Sequence, residues 1–459
     1  MDCAARCRRR LVSATYEGGG RASKQLLEDC ALAVYDERAE TADVARFVAD
    51  TQLRVRADNG AFFVMDAAAV DARLAQWRST LPAVRPFYDV RCNADPLLLR
   101  LLTRGGCALR VSTLAQLELA LAVVPATRIS FDSPLLTRKV LRVLAALPDA
   151  LHSIVLDNAD QAETLAALAP QQPLVLRVSL SPDAERIDLA VGMTAEEALE
   201  CVPRLLLDGA ALLGVSLQLQ AGDMESDFVR AEEALSFIQA LASLHCKLPL
   251  LDVGGGFTTA TLERSAALVE AVVEASGMSR VEITASPGRF FAASAFSLVT
   301  SVIGKQRVDG SAIENDAPIG SLGVVYATNE SCYGALGGSW MPGATAPVCA
   351  PLKDFGECDD YASAVVGNAW DTMDVPQRNA RLPSMDIGDR LLWREAGAYG
   401  AGDEDDGVPV FYYTERAHWE RLMRCDDDDS RLLSDGGSDV ESEEDDDDMT
   451  VCFGRVFSH

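Results

Sequence analysis

Between residues 60 and 300 the chain alternates short apolar runs with longer stretches of helical periodicity, and few folds accommodate that rhythm. The runs are AFFVMD (61–66), PFYDVRC (86–92), CALRVS (107–112), RISFD (128–132), SIVLDN (153–158), LVLRVSL (174–180), LLGVSLQL (212–219), LPLLDVGGGF (248–257) and VEITASPGRF (281–290). Segments such as LAQLELALAVV, LLTRKVLRVLAAL, AEEALECVPRLLL and FVRAEEALSFIQALASL lie between them, with apolar residues at helical spacing. Strands alternating with helices of this length imply βα units and a parallel sheet. Eight or so units in about 240 residues fit a closed (β/α)8 TIM-like barrel better than an open doubly wound sheet. Several runs are apolar on both faces, as parallel strands covered by helices are.

Beyond residue 300 helical periodicity nearly vanishes. Gly, Pro and β-type runs (SLVTSVIG, SLGVVYAT, RLLWREAGAYG, VPVFYYTE) take over, which predicts a mostly antiparallel β domain. The expected organisation is a barrel over 55–298, a β-rich domain formed by 1–54 with 299–425, and a disordered acidic tail over 426–459. Residues 426–448 hold thirteen acids and one base, so they carry −12 of the chain's −28 and leave −16 elsewhere. Such a balance argues against nucleic acid and anionic membrane as partners. No apolar run is long enough to span a bilayer, and the early arginines lack a following apolar segment, so the reading is an unsecreted, cytoplasmic protein. Twelve scattered cysteines without a CxxC pair read as reduced thiols, and four dispersed histidines make no metal cluster. Only five of the 41 basic residues are lysine: Lys24, Lys139, Lys247, Lys305 and Lys353.

Five separated segments carry a family resemblance. PFYDVRCN (86–93), LLDVGGGF (250–257), SPGRFFAASAF (286–296), VGNAWDTMD (366–374) and GAYG (397–400) fall in the order and rough spacing seen in eukaryotic ornithine decarboxylases. The chain resembles that family and its relatives, the antizyme inhibitors, over roughly residues 30–425. The opening GAFFVMDAAAV looks like the family's first barrel strand and helix. The resemblance implies an alanine-racemase-like barrel that binds pyridoxal phosphate, the group IV decarboxylase fold, with a C-terminal β domain. It also implies a Schiff-base lysine after the PFY strand, an acid before PGR on the pyridine nitrogen, a ring-stacking histidine, and a serine with a glycine turn on the phosphate.

The chain departs from most of these. Arg91 stands at the Schiff-base position, and a guanidinium has no free amine lone pair to condense with an aldehyde. Ser286 stands where the ring-nitrogen acid belongs and Gln218 where the stacking histidine does. Ala221, beside Gln220, replaces the phosphate-binding serine, Pro342 the substrate aspartate, and Trp370 the catalytic cysteine, next to a retained Asp371. Gly254, Gly255, Gly256, Arg289 and Tyr399 remain as a vestigial phosphate-type set, although a glycine turn also serves the backbone path alone. No intact catalytic set, no metal and no bound cofactor are expected.

Three functional readings follow. The first is a catalytically inactive homologue acting as an antizyme-inhibitor-type regulator of polyamine (putrescine) synthesis and uptake. The matching antizyme surface is SPLLTRKVLRVLAAL (133–147), where Arg138, Lys139 and Arg142 recur at helical spacing; an ordinary solvated face explains them equally well. The second is an active pyridoxal-phosphate decarboxylase on another amino acid, which needs an amine nucleophile that none of the five lysines obviously supplies. The third is an inactive subunit that pairs with an active decarboxylase paralogue, Trp370 filling a neighbour's pocket; the protein itself is then monomer or dimer. In the tail, Ser438 and Ser442 each precede an acid by three residues, an acidophilic phosphorylation pattern, while a purely solubilising role accounts for the same composition.

Overall fold

The computed structural model describes residues 32–56, 59–134, 136–180, 192–219, 224–244, 248–277, 281–340, 347–369, 371–400 and 408–422. Lys247, Gln220, Ala221, Pro342, Trp370, Ser438, Ser442 and the whole acidic tail lie outside them. The chain divides into two compact units. Of the described residues, one unit comprises those within Arg73–Ala94 and Leu99–Phe290; the other comprises those up to Ala72, Asp95–Leu98 and those from Phe291 to Leu422. Strands are β1 (Leu32–Tyr35), β2 (Phe62–Asp66), β3 (Val84–Asp89), β4 (Ala108–Val111), β5 (Ile129–Asp132), β6 (Ser153–Leu156), β7 (Leu174–Val178), β8 (Leu212–Leu217), β9 (Leu250–Asp252), β10 (Glu282–Ala285), β11 (Phe296–Asp309), β12 (Leu322–Thr328), β13 (Cys349–Pro351), β14 (Tyr361–Val366), β15 (Gln377–Leu382), β16 (Arg390–Trp393) and β17 (Val410–Glu415). The helices used below are α1 (Thr41–Arg56), α2 (Arg138–Ala146) and α3 (Ala195–Leu207).

In the first unit, β3 to β10 close into a barrel in chain order, all pairs parallel, with β10 returning to β3 through Ile283 opposite Val84. β4, β5, β6 and β7 are buried at every residue, which is why their sequences are apolar on both faces. Helix starts follow capping chemistry. Thr137 accepts from the Val140 N–H at the head of α2, and Thr194 forms a capping box with Glu197 at the head of α3. Gly214 lets β8 approach β9, since a Cβ there would sit 2.1 Å from the Leu250 carbonyl oxygen.

The second unit is built on a nine-stranded sheet in the order β1-β17-β2-β11-β12-β14-β15, with β13 on β16 and β16 on β11. Most of its pairs are antiparallel; β1·β17, β17·β2 and β12·β14 are parallel. Val44, Ala45, Val48 and Ala49 of α1 pack on Phe62, Val64, Val299, Leu392 and Tyr413. His418 has no solvent exposure; its Nδ1 lies 2.6 Å from Thr414 Oγ1 and its Nε2 2.9 Å from an Asp71 carboxylate oxygen.

One expectation needs correcting. The AFFVMD run, read as the first barrel strand, is β2 of this sheet, antiparallel to β11 and parallel to β17. The eight other runs form the barrel. The barrel strands therefore begin at Val84 rather than near residue 55, and the β sheet takes in β2 together with β11 from Phe296. A short run that is apolar on both faces reports burial but not which sheet buries it. The strands that flank β2 come from more than 230 residues downstream in the chain.

Candidate functional site at the barrel mouth

Parallel strands deliver their C-terminal ends to one face of a barrel. Here that face receives Arg91 just after β3, Gln218 after β8, the Gly254–Gly256 turn after β9 and Ser286 after β10. The turn and the SPGR segment meet, with the Ser286 N–H donating to the Gly254 carbonyl at 2.7 Å. The ends of β9 and β10 therefore share this face.

Arg91 is held by its own turn. Its Nε lies 3.0 and 3.2 Å from the two carboxylate oxygens of Asp89, and a terminal nitrogen donates to one of them at 2.7 Å. The Arg91 backbone N–H also donates to Asp89, at 3.1 Å. Gln218 reaches over the glycine turn, its Oε1 3.4 Å from the Gly255 N–H, close to the outer limit for a hydrogen bond. Gly254 has φ +78°, so the turn needs glycine for its conformation; the end of the Gln218 side chain packs over it, with Oε1 2.5 Å from where a Cβ would sit. An amide oxygen thus approaches the backbone N–H that a phosphate would otherwise use. The Ser286 hydroxyl is buried and has no hydrogen-bond partner among the described residues.

Arg289 is the second residue of the short helix Gly288–Ala292, which begins within SPGR. Tyr399 and Asp371 belong to the other unit. Tyr399 takes φ +59°, a left-handed conformation uncommon for a tyrosine, in the GAYG turn. Asp371 accepts from the Tyr333 hydroxyl at 2.6 Å and from the Met373 N–H at 3.0 Å. The Tyr333 bond holds the Asp371 carboxyl below its usual range, and the same bond pushes the Tyr333 hydroxyl up to about 12.

Sequence reading missed what fills the barrel behind this mouth. Arg110 on β4 donates to both oxygens of Asp252 at 2.9 and 3.1 Å and reaches Asp132 at 3.4 Å. Arg177 on β7 donates to Asp132 at 2.7 and 3.0 Å and to Asp157 at 2.5 and 2.9 Å. Ser216 and Thr284 complete the shell of Asp252 at 2.5 and 3.2 Å. Arg110, Asp132, Arg177 and Asp252 are buried. Burial alone would push the Asp132 carboxyl up; Arg177 and Arg110 overcome it and hold the group below its ordinary value. Burial likewise opposes both guanidinium charges, yet their carboxylate neighbours keep Arg110 and Arg177 above the ordinary arginine value. The available signal was a single charged residue in each of the runs CALRVS, SIVLDN, LVLRVSL and LPLLDV and Asp132 at the end of RISFD, legible only once the strands are laid in register.

These side chains do not match the requirements of covalently held pyridoxal phosphate. The lysine position is a guanidinium committed to Asp89, and the ring-nitrogen position is a hydroxyl. Asp252, buried at the end of β9, is already saturated by Arg110, Ser216 and Thr284. No decarboxylation step follows from this set.

The other sequence candidate is α2. Leu141, Val143 and Leu144 are buried against the barrel, while Arg138, Lys139 and Arg142 are exposed. None of the three makes a side-chain ion pair among the described residues. Arg138 and Lys139 occupy the first turn, which holds no acid, although a base there opposes the helix dipole.

Comparison with known proteins adds three findings. The family profile "Pyridoxal-dependent decarboxylase, pyridoxal binding domain" matches residues 67–293. Curated relatives include ornithine decarboxylase of Caenorhabditis elegans, 25% identical over 417 residues, covering 87% of this chain and 97% of that protein. They also include antizyme inhibitor 2 of Xenopus laevis, 27% identical over 386 residues, covering 80% of this chain and 84% of that protein. Among solved structures, the arginine decarboxylase of Paramecium bursaria Chlorella virus superposes with a TM-score of 0.68 at 21% identity, over 81% of this chain and 100% of that one. At that identity the superposition speaks for the fold alone.

Proposed function

The chain belongs to the pyridoxal-dependent decarboxylase family of ornithine decarboxylases and antizyme inhibitors, and from that premise we propose that it is a catalytically silent member acting by binding, in the manner of an antizyme inhibitor. The observation that carries this reading is Arg91, which stands at the Schiff-base position with its guanidinium paired to Asp89. A group that stays protonated above about pH 12 cannot open the covalent chemistry on which such a decarboxylase depends. Ser286 and Gln218 remove the ring-nitrogen and ring-stacking groups, so one reversion does not rebuild the site.

What a silent homologue retains is surface. The unpaired bases of α2 suit an acidic partner, and antizyme is the partner proposed; the pathway regulated is then polyamine synthesis and uptake. The test is a pull-down of antizyme by the full chain and by an Arg138→Glu/Arg142→Glu variant. Binding lost in the variant supports the reading; undiminished binding, or none by either chain, refutes it. A second reading, an inactive subunit paired with an active decarboxylase, has its own observation. Tyr333, Trp340 and Met373 are 58%, 42% and 55% exposed, and the two aromatic rings lie 5.3 Å apart, tilted by 40°, with the Tyr333 hydroxyl on Asp371. Capture of an active decarboxylase in place of antizyme assigns that role instead.

A further inference from the structure

The chain carries one strongly acidic segment and, on α2, three exposed bases without an ion-pair partner among the described residues. We propose that the Arg138–Lys139–Arg142 face is the docking site of the chain's own residues 426–448, which occupy it in competition with an acidic partner. The inference deepens the proposed partner-binding role and rests on it for its regulatory meaning, not for the contact itself.

Three observations converge. The segment carries −12 and the rest of the chain −16, so most of the surface repels it and an unneutralised cluster of positive charge attracts it. Arg138 and Lys139 stand in the first turn of α2, where the dipole already favours negative charge and no acid of the helix supplies it. Reach is no obstacle. The described chain ends at Leu422, and the 26 residues from there to Asp448 extend up to about 90 Å, against a radius of gyration of about 23 Å for a compact chain of this length. Exposed ion pairs are individually weak, but a tethered segment meets its site at an effective concentration on the order of millimolar, so a contact too weak to hold a free peptide still closes. Phosphorylation of Ser438 or Ser442 adds about −1.5 to −2 per site and strengthens it.

The chain's five lysines make the test clean, because Lys139 is the one amine on this face. Carbodiimide joins an amine to a carboxylate in direct contact. With the full chain at low salt, peptide mass spectrometry should find Lys139 coupled to acids of 426–448 in at least about tenfold excess over Lys353, which is 66% exposed. The product should disappear in about 0.5 M salt, where the screening length is a few ångströms, and in the Arg138→Glu/Arg142→Glu variant, which keeps Lys139 as reporter. Coupling of Lys139 no stronger than that of Lys353, or unaffected by the variant, overturns the proposal. So does a yield that rises with protein concentration, which assigns the contact to a second copy. The antizyme pull-down fails separately: coupling without antizyme binding leaves the tail contact and removes the partner, whereas antizyme binding without coupling does the reverse.

Discussion

Arginine does opposite work in two regions of the barrel unit. Inside the barrel, Arg177 directs Nε and both terminal nitrogens at Asp132 and Asp157, and Arg110 directs both terminal nitrogens at Asp252 and Asp132, its Nε buried without a partner among the described residues. Arg138 and Arg142, on α2, are exposed and make no ion pair among the described residues. The difference follows from the medium. A buried charge has to be answered within the fold, because its desolvation is repaid only by close opposite charge and hydrogen bonds. An exposed charge is answered by water and stays available to a partner. The interior arginines are therefore tied to stability, and the helix arginines are the ones left available for the recognition proposed above.

The largest expected effect comes from breaking the interior. Arg110→Met leaves Asp252 buried beside an apolar side chain and should lower unfolding free energy by about 3–5 kcal/mol in chemical denaturation. A loss below about 1 kcal/mol would mean the network is not what organises the barrel. Acid offers a graded version of the same test. The Asp132 carboxyl is held below its unfolded value, so its contribution is fully present above about pH 4, the unfolded value, and disappears as pH falls through the lower folded value. Asp132→Asn should flatten that acid limb of the stability profile; an unchanged slope would place the acid sensitivity elsewhere.

His418 in the β unit should follow. His418→Ala removes the links to Thr414 and Asp71 and opens a void, for a loss of about 2 kcal/mol by thermal or chemical denaturation. Arg91→Lys comes next: the side chain is 45% exposed, so the stability change stays under about 1 kcal/mol, and decarboxylation is not recovered while Ser286 and Gln218 remain. Turnover restored by that single change would show that the rest of the site had survived. The smallest effect belongs to Arg138→Glu/Arg142→Glu, which should shift stability by no more than about 0.5 kcal/mol while abolishing partner capture. A large destabilisation there would erase the contrast between the two arginine sets.

Sequence legibility tracks the range of the interactions. Eight barrel runs were readable because burial on both faces and the intervening helical periodicity are local properties. β2 was not, because its neighbours β11 and β17 lie far along the chain. The place of Arg91, Gln218 and Ser286 at strand ends was readable because each follows an apolar run that forms a barrel strand. The reach of Gln218 over the Gly254 turn depends on the approach of β8 to β9 and was not. Asp132 and Asp252 looked like ordinary strand-end acids until the register placed Arg177 and Arg110 beside them. The His418 link joins Asp71 to a residue 347 positions away, a separation at which composition carries no signal.

The central claim is the proposed catalytic silence of this barrel. It is tested most directly by incubating the full chain with pyridoxal phosphate, reducing with borohydride and mapping the products by mass spectrometry, with ornithine, lysine and arginine assayed in parallel for released CO2. The account predicts no reduced cofactor on any of the five lysines and no CO2 from any of the three substrates. Cofactor trapped on any one lysine, with CO2 released from any one substrate, would contradict it.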